Sequence, residues 1–149
     1  MSSDQKENIR ELLRREVHAD EYERIRQEWK THSIAEDRRD IAGLMSTLTP
    51  DCVYEVINTG DTWHGHQGAT AFYQTLLGAF PDITFSLVNI VIGPQGVAEE
   101  AVVTATHQRD WLQFRASGKP VTFNVMIFFP WDPASGKFKG ERICFPAWK

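Results

Sequence analysis

The chain has 149 residues, of which 42% are hydrophobic and 24% charged, and its formal net charge is −4 at pH 7. This length and composition are typical of one globular domain that can bury a substantial core. An acidic chain without a long basic run lacks the positive surface that nucleic acids require, so we expect no nucleic-acid partner. The polar N-terminus is unlike a signal peptide, and no apolar run approaches the roughly 20 residues of a membrane span. We therefore expect a cytoplasmic protein with no membrane partner.

Cysteine and histidine spacing gives no metal motif. Cys52 and Cys144 are far apart in sequence, and neither belongs to a C-x-x-C or related pattern. Two reduced thiols in a cytosolic protein are the simplest interpretation. His64 and His66 form an HxH step without a third ligand at usable spacing, as in an ordinary loop before a helix. The sequence therefore predicts no metal and no cofactor.

Residues 4–30 are predicted to be helical, with two apolar sets that each show i, i+3, i+4 spacing. The first set is a thin stripe among charged residues. It predicts a helical extension over residues 1–19 that is either loosely attached or packed on a partner subunit. The second set predicts a core-facing helix over Asp20–Glu36. This helix begins a single domain that we expect to span residues 20–149.

The remaining elements follow from capping residues and from the period of the apolar pattern. A short helix begins after Asp40, which is its N-cap, and a third helix covers about Gly68–Phe80. Helices do not alternate with strands, so the order α-α-β-α-β-β-β-β predicts an α+β domain with a mostly antiparallel sheet. The five predicted strands are Cys52–Ile57, Ile83–Ile92, Val97–Phe114, Val121–Phe129 and Phe138–Phe145.

The strand Val121–Phe129 has one wholly apolar face and one mixed face without charge. A sheet with one face in water should alternate apolar with polar residues. We therefore expect both faces to be covered, one by the helices and the other by a second subunit, which predicts a homodimer through the sheet. Five tryptophans and nine phenylalanines suit a large apolar pocket or interface.

This layout resembles the nuclear transport factor 2-like (NTF2-like) superfamily, a cone of three N-terminal helices packed on a curved, mostly antiparallel sheet. The superfamily includes ketosteroid isomerases, scytalone dehydratase, limonene epoxide hydrolases and SnoaL-like polyketide cyclases. The amino-acid sequence is most similar to that of the SnoaL-like group over about residues 20–146. The scaffold hosts several enzyme classes and many non-enzymes, so the resemblance implies the fold more strongly than the function. The sequence segments that carry the resemblance to the SnoaL-like group are Leu48–Glu55, Trp63–Ala69, Ala79–Asp82, Thr106-His107 and Gly140–Ile143.

Asp110 is the first candidate catalytic residue. The run Asp110–Lys119 is similar to a strand and turn of limonene epoxide hydrolases, whose aspartate at this position helps to activate attack on the epoxide. Period 2 places Gln108 and Asp110 on one face of the predicted strand, and the resemblance implies that this face lines the cone. A carboxylate in an apolar cone has a raised pKa and suits acid–base chemistry near neutral pH. The alternative is a solvated aspartate that pairs with Arg109 or with the turn.

Glu141 is the candidate partner of Asp110. The chain departs from the epoxide hydrolases, because Gln108 replaces their arginine and Ile143 replaces their second aspartate. Glu141 is the only acid near that position, and it shares a strand face with Ile143 and Phe145. If this face is the floor of the cone, Glu141 and Asp110 form an acid–base pair. The alternative is a structural carboxylate that is salt-bridged at the rim.

Two further polar residues are candidates. Tyr54 matches a tyrosine that orients water or substrate in the epoxide hydrolases, although any buried tyrosine needs a partner for its hydroxyl. His107 suits proton transfer by its ordinary pKa. It has the opposite parity to Asp110, so only one of the two can face the cavity without a bulge. We prefer Asp110 and expect His107 to be a substrate contact.

The expected function is cofactor-free acid–base chemistry on a small, largely apolar organic molecule, by isomerisation, cyclisation, dehydration or hydrolysis. Asp110 is the predicted base, Glu141 the acid or partner, and Tyr54 the hydrogen-bond donor. The alternatives are a non-catalytic ligand-binding domain and a dimeric assembly domain. The predicted substrate-binding residues are Trp63, Phe72, Phe80, Phe85, His107, Gln108, Phe123, Val125, Ile127, Ile143 and Phe145.

Overall fold

The computed structural model describes residues 1–146, and the last three residues of the predicted domain lie outside that range. Within residues 1–146 the chain forms four helices and six strands. The helices are α1 (Ser3–Arg14), α2 (Ala19–Asp37), α3 (Ile41–Ser46) and α4 (Gly65–Ala79). The strands are β1 (Leu48–Val56), β2 (Asp61–His64), β3 (Thr84–Gly93), β4 (Gly96–Thr106), β5 (Pro120–Asp132) and β6 (Lys137–Cys144).

All six strands belong to one curved sheet in the order β2-β1-β6-β5-β4-β3. Neighbouring strands are antiparallel except β1 and β6, which are parallel. The predicted α+β class with a mostly antiparallel sheet is therefore confirmed. The short strand β2 was not predicted, because its four residues follow a run of turn-forming residues and carry only one apolar side chain.

Helices α2, α3 and α4 pack their apolar side chains onto the inner face of the sheet. Helix α3 begins after Asp40, whose carboxylate accepts a hydrogen bond from the Gly43 N–H at 2.9 Å, as predicted. Helix α4 buries five side chains at i, i+3, i+4 spacing and packs against β1. In α2 only Ile25, His32 and Ala35 are buried, and His32 is the one polar residue among them. None of the described helices is both long and apolar enough to cross a bilayer.

The predicted helix over residues 4–30 is two helices, because the chain is extended between α1 and α2. Helix α1 buries no residue. It is linked to the β3–β4 turn by two hydrogen bonds, from Gln95 to the Leu12 carbonyl and from Arg15 to the Pro94 carbonyl, both at 2.8 Å. Helix α1 thus contributes little to the core of the domain.

The prediction that one strand spans Val97–Phe114 is wrong, because β4 ends at Thr106. Beyond this point the backbone N–H groups of Gln108 and Arg109 donate to the Ala79 carbonyl at the end of α4, at 2.9 and 3.4 Å. The chain therefore leaves the sheet and crosses toward the helices. The apolar side chains of the next segment, which suggested a continuing strand, pack into the core instead of extending β4.

A bulge between β1 and β6 bends the sheet beside the last strand. The β1–β6 pairing shifts register between Leu48 and Val53, and Gly140, opposite Val53, has a φ of +116°. Bulges increase the local bend and twist of a strand. This bend brings the inner face of β6, with Glu141, under the helices.

Candidate active site

The sheet and helices surround a cavity of about 40 Å³. Its wall is apolar except for two carboxyl groups, Glu36 from α2 and Glu141 from β6. The sequence analysis did not predict that Glu36 or Trp111 would line the cavity. Eight of the predicted substrate-binding residues line it, namely Phe72, Phe80, Phe85, Phe123, Val125, Ile127, Ile143 and Phe145.

Glu141 is 2% exposed and is held by three polar side chains. The Tyr73 hydroxyl donates to Oε1 at 3.1 Å, His32 Nε2 lies 3.0 Å from the same oxygen, and the Tyr54 hydroxyl lies 3.4 Å from it. All three approach Oε1, so none of them engages the other carboxylate oxygen. The structure thus brings Tyr54 and Glu141 together, and no sequence pattern indicated Tyr73 as a further member.

The neighbours of His32 determine where its protons lie. The Thr47 hydroxyl donates to the Leu44 carbonyl at 2.7 Å, which uses its only proton. His32 Nδ1, at 2.7 Å from the Thr47 oxygen, must therefore be the N–H that donates to it. Nε2 is then the nitrogen that faces Glu141 Oε1, at 3.0 Å.

The two tyrosines stay protonated and so act as hydrogen-bond donors. Burial raises the pKa of both Tyr54 and Tyr73 well above the usual tyrosine value, and the negative charge of Glu141 raises it further. Their hydroxyls are 2.8 Å apart. His32, Tyr54, Tyr73 and Glu141 therefore form a continuous network, and Glu141 is the member that reaches the wall of the cavity.

A second, more polar compartment of about 50 Å³ adjoins the first and shares Glu36 and Phe85 with it. Burial is the main cause that raises the pKa of Glu36 well above the usual range, followed by the charges of Glu141 and Glu99. Burial and the charge of Glu141 also raise the pKa of Glu99, to about 7, although a hydrogen bond from Trp29 acts to lower it. Glu99 lies two residues after Val97 on β4, so both side chains point to the inner face of the sheet. This alternation is visible in the sequence and could have identified Glu99.

Glu99 should reduce stability at alkaline pH. Its folded pKa of about 7 lies above the ordinary value of 4.5, so the folding penalty of its charge grows as the pH rises from 4.5 to 7. Glu99→Gln should therefore stabilise the protein by up to about 3 kcal/mol at pH 8 and by much less at pH 5. Urea unfolding of both proteins at the two pH values measures this difference. An equal gain at pH 5 and pH 8 would contradict it.

The prediction that Asp110 faces the cavity is wrong. Asp110 is exposed, and its carboxylate accepts a hydrogen bond from the Ala116 N–H at 2.7 Å. Because β4 ends at Thr106, strand parity does not extend to Asp110. At the end of β4 the inward face is the one that carries Ala105 and His107. The structure therefore does not bring Asp110 together with Glu141.

The described lining of the cavity does not include three of the predicted substrate-binding residues. Gln108 is exposed. His107 is 1% exposed, and its ring stacks on Phe80 with 4.7 Å between centroids, so it lies behind the cavity wall. Trp63 contacts Phe72 at 5.1 Å between centroids and supports that wall from outside. The family resemblance favoured Asp110 over His107 for the inward position, and the structure reverses this preference.

We expect Asp110→Ala to leave turnover within about twofold of the wild type, because Asp110 does not contact the cavity. It should lower the free energy of unfolding by about 1 kcal/mol through loss of the bond to Ala116. Steady-state kinetics and urea unfolding measure the two effects. A loss of turnover of tenfold or more without loss of fold would restore Asp110 as a catalytic candidate.

Comparison with known proteins identifies the family. A family model described as a SnoaL-like domain matches residues 27–139. No curated protein matches the sequence. A candidate SnoaL-like polyketide cyclase from Jannaschia sp. CCS1 superposes with a TM-score of 0.74 at 16% identity, covering 88% of this chain and 91% of that one.

Two other solved structures share the fold. AclR, a candidate hydroxylase from Streptomyces galilaeus, has a TM-score of 0.67 and 20% identity, covering 84% of this chain and 90% of its own. A candidate ketosteroid isomerase from Kribbella flavida has a TM-score of 0.60 and 15% identity, covering 85% of this chain and 80% of its own. At such identities these likenesses show the fold, whereas the family match spans most of the chain. The chain therefore belongs to the SnoaL-like family of the NTF2-like superfamily.

Proposed function

We propose that this protein is a small-molecule enzyme that performs acid–base chemistry on a largely apolar organic substrate held in the apolar cavity. The observation that carries the proposal is the position of Glu141. Its carboxylate is buried and held by His32, Tyr54 and Tyr73 at one end of an otherwise apolar wall. An apolar site with a few convergent polar groups is the usual form of a small-molecule site.

Each member of the network has a distinct role in this proposal. Glu141 exchanges the proton with the substrate, since Oε2 is not engaged by the three residues that hold Oε1. His32 holds Oε1 through Nε2, and Thr47 keeps the imidazole oriented through Nδ1. Tyr54 and Tyr73 hold the carboxylate in place. Fixed donors around a reacting carboxylate reduce the reorganisation that proton transfer requires.

Isomerisation and cyclisation are the reactions that this arrangement favours, because both move a proton between positions of one apolar molecule. Relatives of the same fold named as candidate cyclases and a candidate isomerase support this choice. Epoxide hydrolysis by an aspartate at position 110 has no support, since Asp110 is exposed. The alternative of a non-catalytic binding domain predicts the same cavity but no turnover.

The experiment that tests the proposal begins with a thermal-shift screen of planar apolar ketones, phenols and quinones. Compounds that raise the melting temperature are then tested for conversion by the wild type and by Glu141→Gln, with EDTA present. We expect some ligands to stabilise both proteins but to be converted only by the wild type. Ligands that bind both proteins and are converted by neither would support the non-catalytic alternative.

We also propose that the protein is a homodimer through the outer face of the sheet. Met126 is 53% exposed on this face, beside a groove whose wall includes Ile57, Phe128 and Cys144. Apolar side chains in a continuous groove favour burial against a second copy. Sedimentation at micromolar concentration should give a dimer for the wild type and a monomer for Met126→Glu. A monomeric wild type would rule out the dimer.

A further inference from the structure

His32, Glu36 and Glu141 form a compact cluster of side chains that can ligate a metal. One ligand atom from each lies within 4.8 Å of the others. Bonds of about 2.0 to 2.2 Å to Zn²⁺ place neighbouring ligand atoms about 3 to 4 Å apart. The 3.0 Å between His32 Nε2 and Glu141 Oε1 already falls in this range. A small movement of Glu36 would complete a three-ligand site.

The fold holds these three groups on rigid elements. His32 and Glu36 are one turn apart on α2, and residues at i and i+4 share a helix face. Glu141 projects toward them from β6, which lies between β1 and β5 inside the sheet. The cluster therefore does not depend on a loop for its geometry.

The orientation of His32 is the one that a metal-ligating histidine usually has. Its Nδ1–H donates to the Thr47 oxygen at 2.7 Å, and the Thr47 hydroxyl is fixed in turn by the Leu44 carbonyl. Metal-ligating histidines typically donate their second ring N–H to an oxygen, which aims the other nitrogen at the ion. Here Nε2 is aimed at Glu141 and the cluster.

The carboxyl groups of the cluster lack a direct ion pair with lysine or arginine. Among residues 1–146, no lysine or arginine lies within salt-bridge distance of Glu36, Glu99 or Glu141, although the positive charge of Arg39 still acts on Glu36. Buried carboxylates without a cation are costly, and they are usually paired, protonated or bound to a metal. A divalent ion would balance two of these carboxylates at once.

We propose that His32, Glu36 and Glu141 bind one divalent transition-metal ion, with open coordination positions facing the apolar cavity. Mixed imidazole and carboxylate ligands suit ions such as Zn²⁺, Co²⁺ and Mn²⁺. The proposal goes beyond the function proposed above. An ion ligated by Glu141 prevents this carboxylate from exchanging a proton, so ion binding and the acid–base role of Glu141 exclude each other. Excess ion should therefore lower turnover.

The test measures metal binding directly, on tag-free protein that has been stripped with EDTA and desalted. Co²⁺ is titrated by visible absorption and Zn²⁺ by calorimetry. We expect one ion per chain in the wild type and a loss of affinity of about tenfold or more in Glu36→Gln. Thr47→Val, which removes the partner of Nδ1, should weaken binding by about 10- to 100-fold. Thermal unfolding confirms that each variant is folded.

The double variant His64→Gln/His66→Gln is the matched control, because it removes the HxH pair near the surface and leaves the cluster intact. Its affinity should equal that of the wild type. Equal affinities in the wild type and Glu36→Gln, or a loss confined to the double variant, would overturn the proposal.

Turnover with EDTA and with excess Zn²⁺ separates this proposal from the proposed function. Activity in EDTA together with inhibition by the bound ion supports both. Activity in EDTA without any ion binding overturns the metal site and leaves the acid–base function standing. Activity that requires the ion keeps the metal site and overturns the acid–base role of Glu141.

Discussion

Glu141→Gln should reduce turnover by about 10²- to 10⁴-fold, which is the usual contribution of a positioned general acid or base. Glutamine has nearly the same shape, and its carbonyl oxygen can still accept from Tyr73 and Tyr54. The fold and the apolar wall should therefore persist, and ligand affinity should change little. Single-turnover kinetics with EDTA present measure the chemical step, and thermal shift measures binding.

The companion variant Tyr54→Phe tests whether the loss is specific to proton exchange. It removes a hydroxyl 3.4 Å from Oε1 but leaves the carboxylate in place. The loss of turnover should be smaller than for Glu141→Gln. If a ligand were converted equally well by the wild type and Glu141→Gln, the assignment of Glu141 would be wrong.

Gly140→Ala should lower the free energy of unfolding by about 3 to 5 kcal/mol, through a strained backbone and a steric clash. At a φ of +116° an L side chain is strongly disfavoured. A Cβ at this position would lie 1.9 Å from the carbonyl oxygen of Val53 and less than 3 Å from two other backbone atoms of that residue. Backbone atoms of a paired strand cannot move aside easily. Urea unfolding measures the cost.

Gly118→Ala is the matched control for this prediction. Gly118 also has a positive φ, of +67°, but no atom lies within 4 Å of the position that a Cβ would occupy there. Only the conformational cost of about 1 kcal/mol should remain. Equal losses in the two variants would show that the approach of Val53 is not what requires glycine at position 140. Because Gly140 precedes Glu141, its replacement should also disturb the carboxylate.

The local pattern of the sequence was sufficient for most of the fold. The N-cap at Asp40, the apolar spacing of α4 and the alternation in Val121–Phe129 each depend on near neighbours, and each predicted its element correctly. The end of β4 did not follow from local pattern. Apolar residues after Asp110 satisfy a strand pattern, whereas the backbone there is bonded to Ala79 from another element.

The residues of the candidate site divide in the same way, into those that could be named from the sequence and those that only the folded chain brings together. Glu141 and Tyr54 were named through the family resemblance, and the structure buries both. Glu36, Tyr73 and Glu99 were not named as site residues, because α2, α4 and β4 meet only when the sheet curves under the helices. A histidine on an amphipathic helix has no distinctive local signal until its partner from a distant strand is known.

The period of apolar residues, which is local, was enough to predict an α+β domain with a mostly antiparallel sheet. The resemblance to the NTF2-like superfamily implied the cone with its cavity and a candidate carboxylate on the last strand. Tertiary structure alone placed Asp110 at the surface and joined His32, Tyr73 and Glu36 to Glu141. The reason is physical: the environment of an ionisable group depends on contacts between segments distant in sequence, and only the folded chain brings those segments together.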